Sequence, residues 1–138
     1  MEMRVVRLHF YGYTWEEYAF QISSLTGIFI VYSGNLTSDG EIALDNVLYI
    51  GYHSGIFELY EKGIFDNIEG FVPKGGRIFL SYAEVPSCSN PEDLVCCIEN
   101  VAHPKYIKEK KPCTVNMKIT CSGNCALIPK ETINIYNK

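Results

Sequence analysis

Two short stretches of the chain, "GIFIVYSG" at residues 27–34 and "NVLYIGYH" at residues 46–53, set aromatic rings beside glycines. The second brings together groups that exchange protons. Tyr49 carries a phenol hydroxyl, and His53, closely following the Tyr-Ile-Gly, is a candidate proton donor. Glu99, in "CCIENVAH", supplies a helical carboxylate just off an apolar stripe. A basic run, "HPKYIKEKKP" (103–112), places Lys105, Lys108, Lys110 and Lys111 around a tyrosine, a local source of phosphate contacts or a solvated charged face. Ser54 reads as a helix cap rather than a nucleophile, because no histidine and acid pair stands at a useful spacing for it.

The six cysteines are Cys88, Cys96, Cys97, Cys113, Cys121 and Cys125. A zinc site wants two close pairs of ligands, and only "CSGNC" (121–125) comes near one. A small zinc-binding or structural protein is therefore the weakest functional class considered, and zinc is not expected. Buried thiols are the plain reading, with Cys96 and Cys97 inside a helix. Cys121 and Cys125 could bridge a hairpin turn only in an oxidising compartment.

These residues need elements to position them. "RVVRLHFYGY" alternates as a first strand. "TWEEYAFQISSL" opens with Thr14 and Glu17 in a capping box, which predicts a short helix ended by Gly27. The two aromatic stretches read as antiparallel strands joined by a long loop, "NLTSDGEIALD". "SGIFELYEKGIF" has apolar residues at helical intervals, with Ser54 as its expected cap. "GGRIFLSYAEV" follows as a third strand. "SNPEDLVCCIENVAH" is the clearest helix: Asn90 can cap it, Pro91 suits its first turn, and Leu94, Ile98, Val101 and Ala102 form one stripe. "TVNMKIT" and "ALIP" are strand-like again. The fold class is α+β: a central antiparallel sheet flanked by helices, with an added N-terminal strand and helix and a C-terminal β tail.

At 138 residues, with no internal repeat or linker, the chain is read as a single domain, 1–138, large enough for a core without staples. A formal net charge of −4 excludes nucleic-acid binding through bulk positive charge, so any phosphate contact must be local. No run of about eighteen apolar residues exists, so no membrane is expected as a partner. "MEMRVVRLHF" is interrupted by charges and lacks a small-residue cleavage site, which makes a cytoplasmic location the expectation.

Gly27-Ile28-Phe29, Tyr49-Ile50-Gly51 and a helical Glu99 followed by Pro112 and Asn116 occur in one order. Over residues 26–117 this resembles the GIY-YIG nuclease superfamily, in which a hairpin bears the two tripeptides. A helix with an arginine, a third strand and a helix with a metal-binding glutamate follow. The resemblance implies phosphodiester hydrolysis of nucleic acid with Mg²⁺ or Mn²⁺ held at Glu99. A tyrosine, here Tyr49, would help deprotonate the attacking water, and Asn116 would support the site. It also implies that Gly27 and Gly51 let backbone and phosphate approach closely.

Two positions depart from the pattern. Phe29 stands where the first tyrosine is expected and keeps a ring without the hydroxyl. Tyr32 cannot replace it, because strand residues three apart face opposite ways. Leu59 stands where the arginine is expected, about eight residues past Gly51, which leaves Lys62 and Arg77 as candidate sources of positive charge. The competing expectation is an inert member of the same fold acting as an interaction module with a protein or nucleic-acid partner. Plain roles also stand open: Tyr49 as a strand aromatic, Glu99 as a solvent-facing acid, Asn116 as a partner for backbone groups, and His53 as a structural histidine.

Overall fold

The computed structural model describes residues 3–14, 25–107 and 113–136. The helix expected from the Thr14–Glu17 capping box lies outside the described residues, as do Lys108, Lys110 and Lys111. Six strands form one sheet: β1 (Arg4–Thr14), β2 (Gly27–Leu36), β3 (Ile42–His53), β4 (Arg77–Ala83), β5 (Met117–Gly123) and β6 (Glu131–Asn134). Their order across the sheet is β3-β2-β4-β1-β5-β6. Helices α1 (Ile56–Glu61), α2 (Ile64–Ile68) and α3 (Pro91–Ala102) pack on it.

The class is α+β, but the sheet is mixed rather than antiparallel throughout, because β1 runs parallel to β5. Nor is the first strand an appendage: β1 sits between β4 and β5 and joins the hairpin half of the sheet to the C-terminal half. The sheet curls enough that α3, lying on β3 and β2, also touches β6 at the far edge.

"GIFIVY" is apolar without alternation because β2 is covered on both faces. Ile28, Ile30 and Tyr32 join Leu8, Phe10, Ile119 and the α3 residues Leu94, Cys97 and Ile98 in one core. Phe29 and Val31 point the other way, into a second core with Ile56, Leu59, Ile64 and Ile68 from α1 and α2. Tyr32 and Phe29 therefore do lie on opposite faces. The stripe of α3 is Leu94, Cys97 and Ile98; Val101, expected in it, is exposed. Asn90 caps the helix as expected, its side-chain oxygen accepting from the amides of Glu92 and Asp93.

Several boundaries differ from the sequence reading. The β2–β3 hairpin has a tight connection at 37–41, because β-pairing runs through Leu36 and Ile42 where a long loop was expected. The helix expected from "SGIFELYEKGIF" is split into α1 and α2 at Gly63, which adopts a left-handed conformation. Gly55, not Ser54, is the N-cap of α1. "ALIP" is a turn rather than a strand, and the last strand forms at 131–134. Cys96 is bonded to Cys113, whereas Cys97, Cys121 and Cys125 are buried free thiols.

Candidate active site

Register decides where Tyr49 points. Val31 pairs with Tyr49 and Tyr32 with Val47, so Leu48 is an extra residue in β3 with no opposite partner. This bulge breaks the alternation. Val47 and Ile50 pack on the α3 side, while Leu48 and Tyr49 both turn toward α1 and α2. Beyond the bulge, regular alternation sends Tyr49, Gly51 and His53 to one face.

On that face a hydrogen-bonded chain of three side chains forms. The Tyr49 hydroxyl lies 2.7 Å from His53 Nε2, and His53 Nδ1 lies 2.9 Å from Glu58 Oε1. An ionised carboxylate only accepts, so Nδ1 carries the hydrogen, Nε2 of the neutral ring is the acceptor, and Tyr49 donates to it. Glu58 comes from the first turn of α1. Its other oxygen accepts from both the amide and the hydroxyl of Ser54, and Lys62 lies 3.3 Å from Oε1. The Ser54 hydroxyl thus fixes Glu58 instead of capping α1.

Gly51 makes the chain sterically possible. A Cβ on Gly51 would sit 2.2 Å from the Tyr49 hydroxyl oxygen and 2.7 Å from His53 Nε2, so the phenol folds over the glycine to reach the imidazole. The space above Gly51 belongs to the protein's own side chains rather than to a phosphate. Gly27 is explained similarly: its Cβ would strike the Ala83 carbonyl at 2.3 Å and the Tyr82 ring at 2.6 Å, so its role is close packing of β2 on β4.

The electrostatics follow from these contacts. Glu58 is held down to about 2, first by the Ser54 hydroxyl and then by His53, the Ser54 amide and Lys62, against the opposing effect of burial. Tyr49 is pushed well above the ordinary tyrosine value, chiefly by burial and next by the neighbouring Glu99, Tyr106 and Glu58. It is a neutral phenol at physiological pH.

The chain opens into a cleft of about 340 Å³ along β3, walled by α3 and by the end of α1. Of the residues singled out in the sequence, Tyr49, Gly51, His53, Lys62 and Glu99 all line it. Four others do not. Phe29 is fully buried beneath, its ring 6.3 Å from that of His53. Gly27 is packed against β4 as described. Arg77 pairs with Gly34, three positions along β2 from the partner of Tyr49 and on the opposite side of β2 from β3. That is roughly 10 Å along and 10 Å across, beyond productive reach. Asn116 precedes β5, four places from β3 in the sheet, and its side chain accepts from the Tyr136 amide. Its observed work is to hold the C-terminal segment.

Sequence reasoning missed Glu58, which stands directly before the Leu59 at the expected arginine position. The available signal was the Ser54–Glu58 spacing across a strand-to-helix turn. It also missed Tyr106 and the cleft-lining Glu92 and Cys96. The amides of Lys105 and Tyr106 donate to the carbonyls of Val47 and Leu48, covering the outer edge of β3 at the bulge. Tyr106 stands 6.1 Å from the Tyr49 ring and accepts from Asn67.

Among the described residues no three His, Cys, Asp or Glu side chains gather as a metal cage. Glu92 and Glu99, two turns apart on α3, are too widely spaced to grip one ion together. A single carboxylate still suits Mg²⁺, which keeps several waters and takes its remaining ligands from phosphate. Glu99, half-buried on the cleft wall, is the carboxylate that would hold such an ion. No helix among the described residues is long and apolar enough to cross a membrane. No protein-family model, curated protein or solved structure matches the chain.

Proposed function

We propose that the cleft cleaves phosphodiester bonds in nucleic acid, as a divergent relative of GIY-YIG nucleases. The observation that carries this is the Tyr49–His53–Glu58 chain opening into a cleft beside Glu99 and Lys62. The element order also supports it: a hairpin with both tripeptides, a helix, a third strand and a helix with Glu99.

The residues divide the work by chemistry. His53 Nε2 takes the proton that cleavage releases at Tyr49, and Glu58 stabilises the resulting imidazolium through Nδ1–H. Lys62 offers an ammonium to the growing phosphate charge in place of the arginine, as a point charge without a bidentate fork. Glu99 would hold Mg²⁺ or Mn²⁺, which when bound neutralises charge on a phosphate oxygen. Glu92 and Glu99 outnumber Lys62 in the cleft wall, so a phosphate approaching the bare cleft meets net negative charge. Activity is therefore expected to depend strictly on a divalent cation.

The test is incubation with supercoiled plasmid and with structured and single-stranded oligonucleotides in Mg²⁺ and Mn²⁺, beside Glu99→Ala. Cleavage by the wild type that the variant loses supports the reading. The interaction-module reading draws on Leu59, which is fully buried where the family arginine is expected. Absence of cleavage by either protein, with nucleic acid or a protein still bound, favours it.

A further inference from the structure

Resting on the reading above, we infer that the oxygen of Tyr49 is itself the nucleophile of this cleft, so that strand cleavage passes through a covalent tyrosyl–phosphodiester. The side chains stand as hydroxyl, imidazole, carboxylate, in that order, at 2.7 Å and 2.9 Å. That sequence of groups activates a side-chain hydroxyl for attack: a nucleophile, a base that takes its proton, and an acid that fixes the tautomer and orientation of the base.

A role for Tyr49 as base toward water fits the geometry less well. The phenol proton is already donated to His53, and the ring's surroundings keep it neutral rather than ready as a phenolate. Deprotonating a water through it would require two protons to move in concert. Attack by Tyr49 requires one, along a hydrogen bond already formed. Of the other hydroxyls nearby, Ser54 donates to Glu58, Tyr106 accepts from Asn67 at the β3 edge, and Tyr52, which also lines the cleft, alternates to the opposite strand face from His53. Phe29 has none. Tyr49 lines the cleft with 6% of its surface exposed, and its hydroxyl has a base in hydrogen-bond contact.

The step balances without any oxidant or reductant. The Tyr49 oxygen forms a bond to phosphorus as the bond from phosphorus to the departing sugar oxygen breaks. The phenol proton passes to His53 Nε2, while the departing oxygen, in line on the far side of phosphorus, takes a proton from solvent and leaves a free hydroxyl end. In the second step water attacks the same phosphorus from that far side, gives its proton to solvent, and expels Tyr49, which regains its proton from His53. Where the free hydroxyl end attacks instead, the strand is rejoined.

The experiment uses the full chain with end-labelled oligonucleotides and supercoiled plasmid in Mg²⁺ or Mn²⁺, quenched with detergent over a range of times. Label migrating with the protein, an added nucleotide mass on the Tyr49 peptide, and loss of both in Tyr49→Phe are expected. Tyr49→Phe keeps the ring in its core, and its folding is checked by circular dichroism. A second measurement covers an adduct too short-lived to trap: an oligonucleotide with one phosphorothioate of defined configuration is cleaved in ¹⁸O-water. Two displacements give net retention at phosphorus. Cleavage with inversion and no protein-bound label overturns the inference while leaving the proposed function standing. No cleavage in either metal overturns both.

Discussion

Replacing Gly51 by alanine tests the site's construction without touching any of its reacting groups. The backbone there is not in a left-handed conformation, so alanine is penalised only by what its methyl meets. It meets the Tyr49 hydroxyl oxygen at 2.2 Å, Cζ of the same ring at 2.6 Å and His53 Nε2 at 2.7 Å. The phenol must swing away, which removes a buried hydrogen bond and leaves His53 Nε2 without its donor, a loss of about 2 kcal/mol. Crowding in a packed site adds about 1 to 2 kcal/mol, and the stiffer unfolded chain returns about 0.5 kcal/mol. The expected net loss is about 3 kcal/mol, a melting temperature lower by on the order of 10 °C for a domain of this size. Urea unfolding followed by circular dichroism reads it directly. The control is the same substitution in a Tyr49→Leu background, where the shorter side chain removes the main clash and the cost should drop by more than about 1 kcal/mol. A Gly51→Ala protein within about 0.5 kcal/mol of wild type, or an equal cost in both backgrounds, would refute the claim that Gly51 exists to let Tyr49 reach His53.

Glu58 gives a pH signature. Its pKa falls from 4.5 to about 2 on folding, so the stability it contributes is fully present above 4.5 and is lost as pH falls toward 2. The stability difference between wild type and Glu58→Gln should therefore be constant above about pH 5 and shrink across that window, measured by urea unfolding at each pH. Reducing the Cys96–Cys113 disulfide, which closes a separation of 17 residues, should cost about 3 kcal/mol in the same assay. Arg77→Ala should leave cleavage within about twofold of wild type, since Arg77 is outside the cleft, whereas Lys62→Ala should lower it by on the order of a hundredfold. Asn116→Ala should cost about 1 kcal/mol of stability through the Tyr136 amide and leave metal-dependent cleavage in place.

What could be read in the sequence was local. The α3 helix announced itself through Asn90, Pro91 and a periodic stripe, and the uninterrupted apolar run of β2 marked a strand. The residues that line the cleft were reachable because Tyr49, Gly51 and His53 are close in sequence, and Lys62 lies one helical turn past the Leu59 at the expected arginine position. What was hidden depends on register and distance. The bulge at Leu48 re-aims Tyr49 by one unopposed residue, and no residue type in "NVLYIGYH" signals it. The parallel pairing of β1 with β5 spans more than a hundred residues and leaves no periodic trace. The Cys96–Cys113 bond likewise reflects where α3 meets the start of β5, whereas the spacing drew attention to Cys121 and Cys125. Glu58 was overlooked because Leu59 beside it was weighed as a missing arginine, although its value lies in the turn that brings it back to His53.

Whether the Tyr49–His53–Glu58 chain performs chemistry in this cleft, as proposed, rather than merely filling it is decided by single-turnover cleavage of plasmid DNA and oligonucleotides in Mg²⁺ and Mn²⁺ by wild type and by His53→Gln, with both proteins shown to be folded. A working triad gives metal-dependent cleavage that falls by at least about a hundredfold in the variant. Cleavage by folded His53→Gln at the wild-type rate would contradict the proposal.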